Sequence, residues 1–166
     1  MANIGDFVVY GNSGICEISG SEVKIIAGRK FTYYVLKPVY DKKATVFVPS
    51  DNQALCDKMR KPLTKEEICN IIDSISKQEC VWVENESDRK TQYREVISSG
   101  DRTELIKLVK TLYLHQSKQF EKGKKLHIAD EKFLTTAERL LYDEFAFVLG
   151  IERDSVIDFI TSRIDK

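Results

Sequence analysis

An α+β chain of two domains is predicted, an SH3- or Tudor-like small β-barrel followed by an all-α helical bundle, and two features of the sequence predict it. From Ile4 to Pro49 the apolar residues come in short runs: Phe7-Val8-Val9-Tyr10, Tyr33-Tyr34-Val35-Leu36 and Val46-Phe47-Val48. These runs are β-branched or aromatic and are broken by Gly, Pro, Asn and Asp, which is strand and turn chemistry. From Thr64 onward the apolar spacing changes to threes and fours, the period of a helix face. The division gives a β domain over residues 1–60 and a helical domain over 61–166. At 166 residues the chain has room for two small domains.

In the β half, Phe7 to Tyr10 reads as a strand and Gly11-Asn12-Ser13-Gly14 as a turn. Ile15 to Ile18 and Val23 to Ile26 read as two further short strands. Ala27-Gly28-Arg29-Lys30 is the next turn. Phe31 to Leu36 is a strong strand ended by Pro38, which cannot donate to a ladder. Asp41-Lys42-Lys43 leads into Thr45-Val46-Phe47-Val48, and Pro49 stops that strand. Five short strands with tight turns favour closure, because a barrel hides its edges. A short helix is expected over Asn52 to Met59.

In the helical half, Thr64-Lys65-Glu66-Glu67 has the capping-box form. Ile68, Ile71, Ile72 and Ile75 then share one face. Residues 79–86 read as a loop or the start of the next helix, with Ser87 or Asp88 as its cap and Ser99-Gly100 as its stop. Asp101-Arg102-Thr103-Glu104 is a second capping box in outline. It opens a helix with Leu105, Leu108, Val109 and Leu112 inward. Phe120 to His127 reads as a loop. A long helix follows over Asp130 to Leu149, with Phe133, Leu134, Ala137, Leu140, Leu141, Phe145 and Val148 inward and Gly150 behind it. Asp154 or Ser155 caps a last helix carrying Val156, Ile157, Phe159 and Ile160.

Composition sets limits on function. Hydrophobic residues make up 42% and charged residues 31%, ordinary values for a globular protein. No apolar stretch approaches the roughly 20 residues that cross a bilayer. The N-terminus has no basic or apolar leader pattern, so a cytoplasmic protein is expected. There is no phosphate-cradling Gly-rich loop and no nucleophile elbow. No catalytic residue, cofactor, metal site, membrane contact or small-molecule substrate is assigned. The cysteines Cys16, Cys56, Cys69 and Cys80 lack C-x-x-C spacing and read as buried small hydrophobes. His115 reads as a helix C-terminal residue suited to the macrodipole. A β module fused to a helical module without catalytic chemistry suggests an adaptor.

Charge is balanced overall, with 26 basic and 26 acidic residues, yet unevenly placed. Residues 102–126 hold seven basic side chains (Arg102, Lys107, Lys110, Lys118, Lys122, Lys124, Lys125) against two acidic ones (Glu104, Glu121). The flanking stretches are net acidic. A local basic excess suits phosphate contact, and it also suits a solvated helix face. Trp82 is the only tryptophan and lies in a polar stretch before a helix. It reads either as a plug over the helices or as an exposed aromatic that wedges at a base step. Arg89, Lys90 and Arg94 follow and could hold phosphates.

The chain resembles the CarD/CdnL family of bacterial transcription regulators over nearly its full length. The likeness rests on Gly5-Asp6-Phe7-Val8-Val9-Tyr10 with Gly14, Tyr34-Val35-Leu36-Lys37, and Thr45-Val46-Phe47-Val48-Pro49 with Asn52. It continues in Ser99-Gly100-Asp101, Leu112-Tyr113, and the run from Leu126 to Leu134, which contains Lys132. The resemblance implies a Tudor-like domain that binds the RNA polymerase β subunit by strand addition, in which backbone hydrogen bonds supply affinity and side chains supply choice of partner. Lys24, Val46, Phe47 and Val48 are the polymerase-binding residues it implies. It also implies a helical domain that contacts promoter DNA at the upstream edge of the bubble with little sequence specificity. There a tryptophan wedges into the minor groove, so that open complexes persist. Trp82, Arg89, Lys90, Lys107, Lys110, Lys118, Lys122, Lys124, Lys125 and Lys132 are the DNA-binding residues carried over. Two departures stand out. Well-described members have Arg where this chain has Phe47, which suggests a more apolar contact. Trp82 lies four residues farther from Ser99-Gly100-Asp101 than the family tryptophan, about one helical turn.

The expected function is a non-enzymatic transcription regulator that binds polymerase and promoter DNA and modulates open-complex stability. The alternative is a protein–protein adaptor whose helical half binds another protein, with Trp82 as an interface anchor.

Overall fold

The computed structural model describes residues 2–165. The chain divides into two units, Met1–Leu63 and Thr64–Lys166. In the first, β1 (Phe7–Tyr10), β2 (Ile15–Ile26), β3 (Arg29–Pro38), β4 (Val46–Pro49) and β5 (Met59–Arg60) form one antiparallel sheet in the order β4-β3-β2-β1-β5. The expected barrel closure is not present. β4 and β5 stand at opposite ends of the sheet, and no ladder joins them among the described residues.

The two expected strands around Ile15 and Val23 are one strand. Ser19-Gly20-Ser21-Glu22 has turn composition, but the register to β3 shifts between Ile18 and Gly20, and the Ser19 hydroxyl donates to the Val35 carbonyl at 3.2 Å. A bulge absorbs the extra residue and the ladder runs on to Ile26↔Arg29. Ala27 and Gly28, both at positive φ, close the β2–β3 hairpin. A helix, α1 (Gln53–Cys56), falls inside the expected span, with the Asn52 side chain accepting from the Leu55 N–H at 3.1 Å. The chain then adds the two-residue β5 beside β1, which its sequence does not announce.

Alternation sets the core of this unit. Val8, Cys16, Ile18, Leu36 and Val48 are buried together, with Tyr10, Tyr34, Val46, Leu55 and Met59 packed around them. Burial pushes the Cys16 thiol up to about 11. Cys56, Cys69 and Cys80 are only half-buried, so the small-hydrophobe reading fits Cys16 alone.

The second unit holds α2 (Lys65–Ser74), α3 (Glu86–Ser99), α4 (Arg102–Glu121), α5 (Ile128–Leu149) and α6 (Val156–Ile164). Helix starts follow capping chemistry. The Thr64 hydroxyl accepts from the Glu67 N–H at 3.2 Å, and the Glu67 carboxylate accepts from the Thr64 N–H at 2.7 Å. These bonds hold the Glu67 carboxyl below its usual range. Asp101 caps α4 through the Glu104 N–H at 3.0 Å. Asn85 caps α3 at 3.0 Å from the Asp88 N–H, in place of the expected Ser87 or Asp88. α4 runs on through Phe120, where a loop was expected. α5 begins at Ile128, two residues before the expected start. Gly100 and Gly150 end α3 and α5 in the left-handed conformation that glycine adopts without strain.

α4 and α5 pack together as the axis of this unit. Leu105, Leu108, Val109 and Leu112 of α4 are buried, as are Leu134, Ala137, Leu140, Leu141 and Phe145 of α5, while Phe133 and Val148 are half-buried. Ile68, Ile72 and Ile75 join this core from one side, and Val156 and Ile160 of α6 from another. Each fully buried Leu, Ile or Phe contributes about 1.5–3 kcal/mol. No helix among the described residues is long and apolar enough to cross a membrane.

Among the described residues, two ion pairs are enclosed within this unit. Arg102 Nη2 lies 2.8 Å from Glu144 Oε1, and Arg89 grips Asp130 with Nε–Oδ1 at 2.9 Å and Nη2–Oδ2 at 3.0 Å. Arg89 is 3% exposed and Asp130 0%. Removing one partner strands a buried charge, which costs about 3–5 kcal/mol. Asp130→Ala is therefore expected to lower urea-unfolding stability by that amount. Thr64→Ala, which removes only an exposed cap, should cost about 1 kcal/mol.

Candidate functional site

The first candidate surface lies at the β4 edge. β4 is bonded to β3 on one side only. The Ser50 N–H donates to the Thr32 carbonyl at 2.9 Å, so strand alternation turns the backbone of Val46 and Val48 toward β3 and that of Phe47 and Pro49 outward. Pro49 has no N–H, and its carbonyl accepts from the Asn52 N–H and the Cys56 thiol, each at 3.3 Å. Phe47 is left to present a donor and an acceptor at the open edge.

The side chains above that edge follow from the register. Val35 faces Phe47 and Glu22 faces Tyr33, so Lys24, Tyr33 and Phe47 form a diagonal across three strands on one face. Tyr33 and Phe47 meet edge to face at 6.3 Å, and Lys24 Nζ sits 3.4 Å from the Phe47 ring centroid and 5.5 Å from that of Tyr33. Phe47 remains 38% exposed. The sequence-predicted Lys24 and Phe47 thus come together as a cation–π pair. Val46 is half-buried beside the core. Val48 is in the core, where its side chain cannot meet a partner. Tyr33 belongs to the surface and was not singled out from sequence.

The second candidate surface is built on α4. Trp82 lies in the irregular segment between Lys77 and Asn85 and is half-buried. The His115 imidazole stacks on its indole at 3.5 Å with planes 4° apart. The Arg89 guanidinium carbon lies over the ring at 4.5 Å. A parallel ring at that separation fills one face, so the cation takes the other. Arg89 is itself fixed by Asp130 and by the carbonyls of Val83 at 2.9 Å and Glu84 at 3.4 Å. Trp82 is therefore neither a core plug nor a freely exposed ring. Both faces are covered and its rim is what solvent reaches.

His115 departs from its expected role. α4 extends to Glu121, which puts His115 nearly two turns inside the helix. Burial pushes its pKa down from 6.5, with Arg89 and Lys118 adding to the effect against Asp130 and Glu84. The neutral ring is favoured, where a positive charge was expected. Its Nε2 lies 3.0 Å from Gln119 Nε2.

The basic residues separate into structural and exposed groups. Arg89 is buried in its ion pair, away from the phosphate role expected of it. Arg102 is paired with Glu144. Lys110 donates to the Ile75 and Gln78 carbonyls at 2.8 and 3.3 Å and so closes the turn after α2. Lys90 pairs with Glu86 at 2.7 Å along α3. Lys107 is half-buried beside a shallow cleft of ≈ 160 Å³ that Val81, Tyr93 and Glu104 also line. Lys118, Lys122, Lys124, Lys125 and Lys132 are exposed. His115 and Lys118 of α4 and Lys122, the residue that caps its C-terminus, stand at i, i+3 and i+7, one face about 10 Å long. The Trp82 stack, Lys118 and Lys122 therefore share one side of this helix and its C-terminal end. That spacing was readable in the sequence, but the loop residue that lands on His115 was not.

No curated protein matches the chain. Two family models do. The CarD-like/TRCF RID domain matches residues 3–63. The CarD C-terminal domain matches residues 70–161. The two matches follow the sheet unit and the helical unit in order, and domains of this kind are regulatory and not catalytic. By these matches, over nearly all of its length, the chain belongs to the CarD family.

Proposed function

We propose that the chain is a non-enzymatic transcription regulator of the cytoplasm that binds the β subunit of RNA polymerase through its sheet unit and promoter DNA through its helical unit. Its effect is on the lifetime of the open complex. The observation that carries the reading is the open β4 edge in a CarD-like RID domain. An unpaired strand is a template for another strand, and native proteins leave one open where a partner completes it. The Lys24–Tyr33–Phe47 diagonal gives that edge a largely apolar contact tipped with one charge.

The DNA reading is supported by the exposed lysines at the C-terminal end of α4 and in the loop after it. Exposed Lys118, Lys122, Lys124 and Lys125 offer phosphate contacts without base readout, so binding to free DNA is weak and depends steeply on salt. The Trp82 rim, beside them, is suited to prise open a base step at the edge of the bubble.

A second reading has one observation in its favour. An apolar groove of ≈ 220 Å³ lies between α4 and α6, lined by Ile106, Val109, Leu114, Ile157 and Ile164 among others. Leu114 is 47% exposed, Ile157 39% and Ile164 41%. A groove of this kind suits a protein segment, as the adaptor reading requires.

In titration calorimetry of the full chain with the isolated β lobe, Phe47→Asp is expected to weaken binding by roughly 30-fold or more, the loss typical of a central interface anchor. Unchanged affinity would remove the β4 edge from the interface. Trp82→Ala should retain β-lobe binding and shorten open-complex lifetime. Lys122→Gln should lower the slope of log affinity for duplex DNA against log salt by about 1.

A further inference from the structure

We propose that His115 is a positioning residue for the DNA contact: it holds the Trp82 indole rim outward in one orientation, so that the wedge is formed before DNA arrives. The proposal rests on the reading of Trp82 as that wedge, and part of its test does not.

Trp82 has no regular backbone structure to fix it. It belongs to the irregular segment before α3, and neither the Val81 nor the Val83 side chain beside it is buried. A tryptophan so placed would sample several rotamers, and ordering it on binding would weaken the contact. The stack removes that freedom. His115 is carried on α4, the helix whose packing against α5 builds the core, and it meets the indole at 3.5 Å and 4°. Arg89, across the ring, cannot follow the indole outward, because Asp130 and two carbonyls hold its guanidinium. Two rigid layers on either side of one mobile one leave the indole a single seat.

The arrangement selects the neutral imidazole. As placed, the Gln119 side-chain N–H donates to His115 Nε2, which requires a lone pair there. The charged groups around the ring are Arg89 from α3, Glu84 from the preceding segment, Lys118 from α4 and Asp130 from α5. An imidazolium would face Arg89 across the indole, and it would keep a bond to Gln119 only if that amide turned to present its oxygen. Because the folded state favours the neutral form, the stack is fully present above the ordinary imidazole pKa of 6.5 and is weakened as pH falls below it.

Trp82 is the only tryptophan, so its emission reports this site alone. Two full-length variants, His115→Ala and His115→Phe, are compared with the parent in two measurements, and Trp82→Ala, which carries no indole, joins the second. In the first, time-resolved anisotropy of the indole, His115→Ala is expected to add a fast local motion that His115→Phe, with its ring retained, does not show. In the second, open-complex lifetime with polymerase, His115→Ala should shorten the lifetime roughly 2- to 10-fold, the factor for ordering one side chain, and His115→Phe should restore it. Far-ultraviolet circular dichroism and urea unfolding serve as the folding control for the helical unit and should match the parent, and β-lobe affinity, a property of the sheet unit, should stay constant throughout. An indole equally immobile in His115→Ala overturns the proposal. So does a lifetime unchanged in His115→Ala but shortened in Trp82→Ala. If Trp82→Ala leaves the lifetime unchanged, the wedge reading falls, and with it His115's role in DNA contact; the anisotropy then reports only on the clamp.

Discussion

The buried pair of Arg89 and Asp130 is the constraint on which the helical unit's candidate surface depends. It joins α3 to α5 across 41 residues of sequence, and its bidentate geometry leaves the guanidinium one orientation. The remaining donor of Arg89 reaches back to the carbonyls of Val83 and Glu84, which ties down a segment that has no hydrogen-bond ladder of its own. The same planar group then forms one wall of the Trp82 seat. A lysine at this position would supply the charge without the fork or the flat face. Taking these charges out of water is costly, and the pair is retained where a hydrophobic substitute could pack, which is consistent with a role in fixing geometry beyond stability.

The sheet unit shows the complementary logic. Its core cluster draws its buried residues from β1 to β4, with Leu55 and Met59 packed against them, and it forms without closure of the sheet. The β4 end of the sheet can therefore stay open. Pro49 and α1 cover part of the β4 edge, so what is exposed is short. Short edges with a charge nearby resist promiscuous pairing. Lys24 supplies that charge while its ammonium lies over Phe47 and Tyr33, so in the proposed contact one residue would both limit wrong pairing and shape the right one.

Much of this was legible in the sequence because it is local. Periodicity placed α2 and α4 to α6 and most of their buried faces, and the Thr64 box and the Asp101 cap formed as their residue types require. What was missed is set by tertiary context. The Ser19–Glu22 stretch has turn composition, yet pairing with the long β3 keeps it in a strand. β5 is two residues held by β1 and has no pattern of its own. The basic excess over 102–126 was visible, but which charges are spent inside the fold was not: Arg102 and Lys110 look like Lys118 and Lys122 in a list of charges and differ only in what packs against them. His115 drew attention only for its place near a helix end, because nothing local indicates that residue 82 will lie on it.

The central claim is that one chain completes its open β4 edge on polymerase while the Trp82 rim and the lysines at the C-terminal end of α4 meet DNA at the upstream edge of the bubble. The most direct test is a cryo-electron microscopy structure of the full chain on a polymerase open complex. The account predicts a β-lobe strand paired beside Phe47, with Lys24 at the same contact. It also predicts the indole rim at the upstream fork, still stacked on His115, with Lys118 and Lys122 within reach of phosphates. A map with the β4 edge free, or with the α4 surface turned to protein and away from DNA, would contradict it.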